Sequence, residues 1–202
     1  MNKTMLLKKE LPSWDLSDLY KSTQSQEINF DLSKLENLTT NFNKKYKGNV
    51  HKLSDKKFYD LFNSLEKIEK LSGRLISYAY LNYCENVSSE EKNKFLSDIQ
   101  EKLVKFESKM LFLSLEINSI SEKKFRKLIA KKSKVKRYET FFNKLRLFKP
   151  YQLSESMENL LNEYKSSSKS SWCKLFDETI SELSISISNK KYSFEESLNL
   201  FQ

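Results

Sequence analysis

Glycine and proline are scarce in this chain, with two of each among 202 residues. Because these residues interrupt regular elements and form many tight turns, their scarcity argues against a turn-rich β protein and favours long helices. Apolar residues make up 38% of the sequence and aromatic residues 13%, which is enough to form a buried core. The composition therefore predicts a folded, mainly α chain that forms one domain or one lobe of a larger protein.

Cysteine and histidine are also rare. Cys84 and Cys173 are isolated from each other in helical segments, so the sequence does not indicate a disulfide framework. This use of cysteine is consistent with a protein in a reducing compartment. His51 is the single histidine, whereas zinc needs three or four ligands at suitable spacing. A Cys–His nucleophile pair stays formally open without a local signature, and no glycine-rich phosphate loop occurs. We therefore assign no catalytic, cofactor-binding or metal-ligating residue to this chain.

Long apolar runs are missing as well. No stretch approaches the roughly 18 apolar residues that cross a membrane. The beginning of the chain, MNKTMLLKKEL, has an apolar run too short for a secretory signal. These features predict a cytoplasmic protein without a membrane partner.

Basic charge is plentiful by contrast, with 36 Lys and Arg against 27 Asp and Glu, a net charge of +9. Residues 123–137, KKFRKLIAKKSKVKR, contain no acidic residue. Such a composition would suit a site that contacts the phosphates of a nucleic acid. Regularly spaced aromatic residues for base stacking are absent there. In the plainer interpretation, the apolar side chains of this segment are buried and its lysines lie in solvent. Nucleic-acid binding is therefore an alternative that the sequence does not favour. A second alternative is an adaptor protein that binds a partner through residues 54–117.

Apolar residues recur every three or four positions over most of the chain, which predicts helices. One helix covers about 29–46, and two long helices over 54–84 and 88–117 are expected to form an antiparallel hairpin. Ser88 and Ser119 each precede a Glu by three residues, the pattern of a helix capping box. Further helices follow, and the apolar stripes of the last two are Met157, Leu160, Leu161 and Tyr164, then Trp172, Leu175, Phe176, Thr179 and Leu183.

The hydrophobic period changes from helical to alternating near residue 183. Residues 183–194 predict one small β-hairpin that turns at Asn189 and Lys190. Ser193 and Glu196 form a third capping box, and the helix that they begin stops within about two turns. We therefore divide the chain into a helical N-terminal lobe, 1–182, and a segment, 183–202, with the hairpin and the truncated start of a catalytic portion.

Four segments resemble, in the same order, the N-terminal region of the oligoendopeptidase F family, which are thimet-oligopeptidase-like zinc metallopeptidases. The first is LPSWDLSDLY, residues 11–20, which contains one of the two tryptophans. The others are residues 70–91, KLSGRLISYAYLNYCENVSSEE; residues 138–164, YETFFNKLRLFKPYQLSESMENLLNEY; and residues 170–187, SSWCKLFDETISELSISI.

The resemblance implies a helical lobe beside the substrate channel of a cytoplasmic enzyme that hydrolyses short peptides. In the family, zinc is held by H-E-x-x-H and a downstream Glu, and neither His51 nor any other residue here matches that motif. The chain alone is expected to be inactive, with the catalytic domain as its partner and zinc in that missing domain. Trp14 is expected to be buried, since a large aromatic side chain would clamp the N-terminal segment onto the lobe.

Overall fold

A computed structural model describes residues 14–130, 134–165 and 167–201, without the side chain of Phe201. The prediction of a mainly α chain with one small β-hairpin is confirmed. The helices are α1 Gln26–Tyr46, α2 Asp55–Glu85, α3 Glu90–Met110, α4 Phe112–Ser119, α5 Glu122–Leu128, α6 Glu139–Leu147, α7 Glu155–Tyr164, α8 Lys169–Glu182 and α9 Phe194–Leu198, and the strands are β1 Ser184–Ile187 and β2 Lys190–Ser193. Short 3-10 turns cover Val50–Lys52, Lys134–Tyr138, Lys149–Tyr151 and Asn199–Phe201.

The core lies between α1, α2 and α3, which pack pairwise as three long amphipathic helices. The predicted hairpin of α2 and α3 is present, and residues 86–89 connect the two helices. Gly48 follows the end of α1 with a φ of +77°, a conformation that other residues adopt at a cost. The buried side chains at the centre are Leu35, Phe42, Leu61, Leu75, Ala79 and Ile99.

Several predicted helix ends are displaced. Helix α3 is capped by Ser89 rather than Ser88, because the Ser89 side chain accepts the Lys92 N–H while Ser88 lies in the turn. The long helix predicted to reach residue 117 is interrupted at Leu111. Ser121 rather than Ser119 precedes α5, and the Ser119 hydroxyl donates back to the Glu116 carbonyl. Helix α8 begins inside the serine-rich stretch 165–171.

The prediction that Trp14 is buried is wrong, since 76% of this residue is exposed. Tyr20, at the other end of the same segment, is only 1% exposed and attaches the segment to the lobe. Its hydroxyl donates to Asp31 Oδ2 over 2.8 Å, and Arg74 donates to the same oxygen over 3.1 Å. The Arg74 guanidinium also lies 4.2 Å from the centre of the Tyr20 ring and donates to the Leu19 carbonyl. The motif is thus held by its tyrosine and not by its tryptophan.

An aromatic cluster joins α2 to α5 and α6 at the other end of the lobe. Phe142 of α6 packs against Phe58 and Phe62 of α2 and against Phe125 of α5, with ring centres 4.9–5.8 Å apart. All four rings are buried. Burial of aromatic side chains therefore fixes the position of α6 on the long helices.

The β-hairpin pairs Ser184 with Ser193 and Ile187 with Lys190 in an antiparallel register. Ser188 and Asn189 form its turn with positive φ angles of 49° and 66°, so Lys190 belongs to the strand and not to the turn. The capping box of Ser193 and Glu196 is confirmed in both directions. In the part of the chain that the structure describes, no helix has the length and apolar character needed to cross a membrane.

Candidate docking surface

Helices α7 and α8 are amphipathic, yet neither contains a buried residue. On α8, Trp172 is 71% exposed, Leu175 53% and Phe176 64%. Because the hydrophobic effect favours removal of such side chains from water, an amphipathic helix normally turns its apolar face to the core. Both helices depart from this rule in the described structure.

The polar face of α8 is the one that meets the lobe. Lys174 donates to the Ser97 hydroxyl of α3 over 3.4 Å, and Ser181 lies 3.2 Å from the hydroxyl of Ser88. The apolar residues 172, 175 and 176 lie on the opposite side, since residues three and four apart share a helix face. Polar contacts thus hold α8 against α3 and the turn that precedes it and leave its apolar face outward.

Helix α7 is oriented in the same way. Asn162 donates to the Ser108 hydroxyl of α3 over 3.0 Å and to the Val104 carbonyl over 3.4 Å. At the end of the helix, Lys165 forms a long ion pair of 3.8 Å with Glu107. The apolar stripe of α7 remains exposed. Hydrogen bonds and one ion pair on the inner side are a weak substitute for apolar packing.

The packing of α8 on the hairpin is incomplete. A cleft of about 630 Å³ separates α8 from α2 and α3. Tyr83 lines this cleft, and its buried hydroxyl has no hydrogen-bond partner in the described structure. Burial raises the pKa of Tyr83 above its ordinary value, with a further contribution from Asp177. A buried hydroxyl without a partner is unfavourable, which is consistent with a helix held loosely.

The exposed apolar side chains of the C-terminal third form what we call the C-terminal apolar surface. Among the described residues, large exposed hydrophobic side chains number three before residue 131 and fifteen after residue 133. Exposed apolar side chains mark a protein interaction site where they form a contiguous patch of more than a few hundred Å². Its members are Phe141, Leu147, Phe148, Tyr151, Leu153, Met157, Leu160, Leu161, Tyr164, Trp172, Leu175, Phe176, Leu183, Leu198 and Leu200.

The side chains considered for chemistry are not brought together. His51 lies exposed in the 3-10 turn before α2, Cys84 is at the end of α2, and Cys173 is on α8. Both thiols are free and exposed. Within residues 14–130, 134–165 and 167–201, no three His, Cys, Asp or Glu side chains are grouped so as to hold a metal ion.

Three of the seven described basic residues in the segment 123–137 form a hydrogen bond or an ion pair within the chain. Lys124 donates to the His51 carbonyl, Arg126 pairs with Glu122 over 3.0 Å, and Arg137 pairs with Glu66. Phe125, Leu128 and Val135 are buried, as the plainer interpretation of this segment predicted. Residues 131–133 lie outside the described structure. The described part of the segment therefore does not form a row of free cations.

Comparison with known proteins finds a match for the segment that carries most of the C-terminal apolar surface. A family model described as Oligopeptidase F matches residues 116–184, a range that includes α7 and α8. Oligopeptidase PepF of Bacillus subtilis (strain 168) is 27% identical over 157 residues, which are 75% of this chain and 22% of that protein. The chain is similar to the N-terminal region of oligopeptidase F.

The family resemblance predicted from the sequence is thereby confirmed. The chain spans about a fifth of the oligopeptidase F relative that it matches. No solved structure shows a significant match to it. Sequence reasoning found the two apolar stripes of α7 and α8 but not their outward orientation, because periodicity shows which residues share a face and not what that face contacts.

Proposed function

We propose that this chain is the N-terminal lobe of a cytoplasmic zinc metallo-oligoendopeptidase that hydrolyses short peptides. In this proposal, the C-terminal apolar surface docks onto the catalytic portion of the same peptidase. The observation that supports it is the outward apolar face of α7 and α8 in the segment that matches oligopeptidase F. The lobe would form one wall of the substrate channel, so that only short unfolded peptides reach the metal.

Zinc chemistry belongs to the catalytic portion in this proposal. The motif H-E-x-x-H does not occur in the 202 residues, and the described residues offer no ligand set for zinc. Two histidines four residues apart on a helix would hold the metal, and the intervening Glu would activate water. We therefore derive no catalytic step from the residues of this chain.

The proposed docking follows from the free energy of apolar burial. Trp172 and Phe176 lie on one face of α8 and are about two-thirds exposed or more. Aromatic side chains at the centre of an interface contribute most of its binding energy. A partner that covers both rings would remove them from water. The outward apolar face of α8 would then contact protein instead of solvent, which is favourable.

The test supplies the catalytic portion, the H-E-x-x-H-bearing reading frame of the same genome, as a separate chain. Complex formation is measured by size-exclusion chromatography with light scattering, and activity by cleavage of a quenched fluorescent peptide. The variant W172S/F176S alters the docking surface. The control W14S/F30S removes a tryptophan and a phenylalanine that are 76% and 67% exposed elsewhere, against 71% and 64% for the docking pair.

We expect a one-to-one complex that cleaves the peptide and loses activity when zinc is chelated. W172S/F176S is expected to weaken the complex and the control to leave it intact. Equal behaviour of the two variants would contradict the proposed surface. A stable partner without H-E-x-x-H would favour an adaptor, and retention on duplex DNA that is lost when the lysines of 123–137 become Ser would favour nucleic-acid binding.

A further inference from the structure

The β-hairpin has two outer edges, since no third strand lies beside β1 or β2 among the described residues. A two-stranded hairpin is marginal in water by itself, whereas three or more strands form a more stable sheet. The outer edge of a strand presents unpaired backbone groups that can pair with another strand. The hairpin is therefore a candidate site for strand addition.

The register of the hairpin determines which backbone groups point outward. Its two-residue turn places Ile187 opposite Lys190, and the pair next to such a turn is a hydrogen-bonded pair. Because hydrogen-bonded and non-hydrogen-bonded pairs alternate in an antiparallel ladder, Ser184 and Ser186 direct their N–H and C=O groups away from β2. Both serines are exposed, and neither N–H has a partner in the described part of the chain.

The outer edge of β2 is closed to the same kind of pairing. The Ser193 N–H, which this register directs outward, donates to Glu196 Oε2 over 2.9 Å. Lys190 and Lys191 give β2 two charged side chains, and lysine on an edge strand disfavours pairing with a further strand. Residues 183–189, LSISISN, contain no charge and no proline. The open edge of the hairpin is therefore that of β1.

The outward groups of β1 are complementary to those of a second β1. When two copies of β1 run antiparallel about a two-fold axis, Ser184 of each copy faces Ser186 of the other. Each of these two facing pairs exchanges two backbone hydrogen bonds, which gives about four in all. The two Ile185 side chains then face each other at the axis, and the two hairpins form one four-stranded sheet.

The charge of this region favours a second copy as the occupant of the edge. Residues 183–201 contain two lysines and two glutamates, so their net charge is zero, whereas the whole chain carries +9. Two copies repel each other through this excess of positive charge, but a contact through β1 brings two neutral segments together. Helix α9 packs against both strands and leaves Ser184 and Ser186 exposed.

We propose that the edge of β1 is an interface between two copies of this chain. The copies form a closed dimer with one four-stranded sheet, and pairing stops at two copies because the β2 edge is blocked. The short strand predicts a small interface and a weak dimer. The proposal does not rest on the proposed function, since the contact uses backbone groups of β1 and not the apolar rings of α8.

The test measures the mass of the full chain by sedimentation equilibrium from about 10 µM to about 1 mM, the range in which weak dimers dissociate. The variant S186P removes an outward N–H of β1 and no hydrogen bond of the hairpin. The control K191P introduces proline at the residue directly opposite, which is an outward position of β2. W172S/F176S alters the exposed rings of α8 and leaves β1 unchanged.

We expect an equilibrium between monomer and dimer without larger species. S186P is expected to raise the dissociation constant at least about tenfold, because the two-fold axis removes one hydrogen bond from each facing pair. K191P and W172S/F176S are expected to dimerise as the parent does. Residue-resolved amide exchange needs no substitution: protection of the Ser184 and Ser186 N–H groups is expected to rise with protein concentration, and that of Lys191 is not.

A chain that stays monomeric up to about 1 mM would overturn the proposal. So would a dimer that W172S/F176S abolishes and S186P does not. Equal weakening by S186P and K191P, with unchanged exchange at Ser184 and Ser186, would attribute the effect to damage of the hairpin and would also overturn it. A monomeric chain whose S186P variant binds a catalytic portion more weakly would assign the edge to that portion instead of a second copy.

Discussion

The two aromatic residues that bracket DLSDL in the N-terminal segment are expected to contribute very differently to stability. Tyr20 is 1% exposed, donates to Asp31 over 2.8 Å and packs edge-on against Tyr78 at 5.2 Å. Truncation of a buried aromatic side chain to Ala costs about 3–5 kcal/mol. We expect Y20A to lose about 4 kcal/mol, a large share of the 5–15 kcal/mol typical of a folded domain.

Trp14 is the matched comparison within the same motif. Since 76% of it is exposed, W14A is expected to change the free energy of unfolding by less than about 0.5 kcal/mol. Y20F separates the hydroxyl from the ring. It removes one hydrogen bond to a charged acceptor, worth about 1.5–3 kcal/mol, and leaves the stacking with Arg74 in place.

The assay is urea unfolding followed by far-ultraviolet circular dichroism, which does not depend on the tryptophan that one variant removes. The three variants are compared at an equal m-value, the slope of the free energy of unfolding against urea concentration, so that changes in the unfolding midpoint report changes in stability. The expected order of destabilisation is Y20A, then Y20F, then W14A. A W14A variant as unstable as Y20A would refute the conclusion that the tyrosine holds the segment.

Three other outcomes are expected. Burial and the hydrogen bond to Asp31 raise the pKa of Tyr20, so its contribution is intact below the unfolded value of about 10 and is lost as pH rises above it; alkaline unfolding of Y20F is expected to be less steep than that of the parent chain. The Glu116 carboxylate accepts the Gly48 and Val50 N–H groups over 2.5 and 3.0 Å, so E116A is expected to cost about 1–3 kcal/mol in denaturant unfolding, with E122A as an exposed control. Amide exchange measured by mass spectrometry is expected to be slowest in α2 and α3 and fastest in α7, α8 and 184–201, because buried contacts are concentrated in the helical hairpin of α2 and α3. Early opening of α2 and α3 would contradict this account.

Much of the fold could be predicted because helices and hairpins leave local patterns. The three-and-four spacing located α1 to α3, and the change to alternation located the β-hairpin between residues 183 and 194. Helix ends were less accurate, since adjacent serines compete as caps. Ser88 and Ser89 are both suitable by type, and the choice depends on which one the turn at 86–89 places at the start of α3.

The family resemblance was also accessible from the sequence, because it depends on the order of segments along the chain and not on their packing. The role of Trp14 was not accessible. An aromatic residue in a motif suggests burial by its type, yet the structure buries Tyr20, whose hydroxyl donates to Asp31 while Arg74 donates to the same carboxylate oxygen. A large side chain is buried only if the surrounding residues leave a space and a partner for it.

The sequence by itself determined the helical class, the amphipathic stripes and the family resemblance, since each depends on the order of residues along the chain. Tertiary structure alone decided that α7 and α8 turn these stripes outward, and that Arg126 and Arg137 of the basic run 123–137 form ion pairs within the chain. The physical reason is that burial and electrostatic potential depend on neighbours in space. Hydrophobic periodicity shows which residues share a helix face, and charge shows which kind of partner a side chain favours. Only the packed chain determines which residues or solvent each side chain contacts.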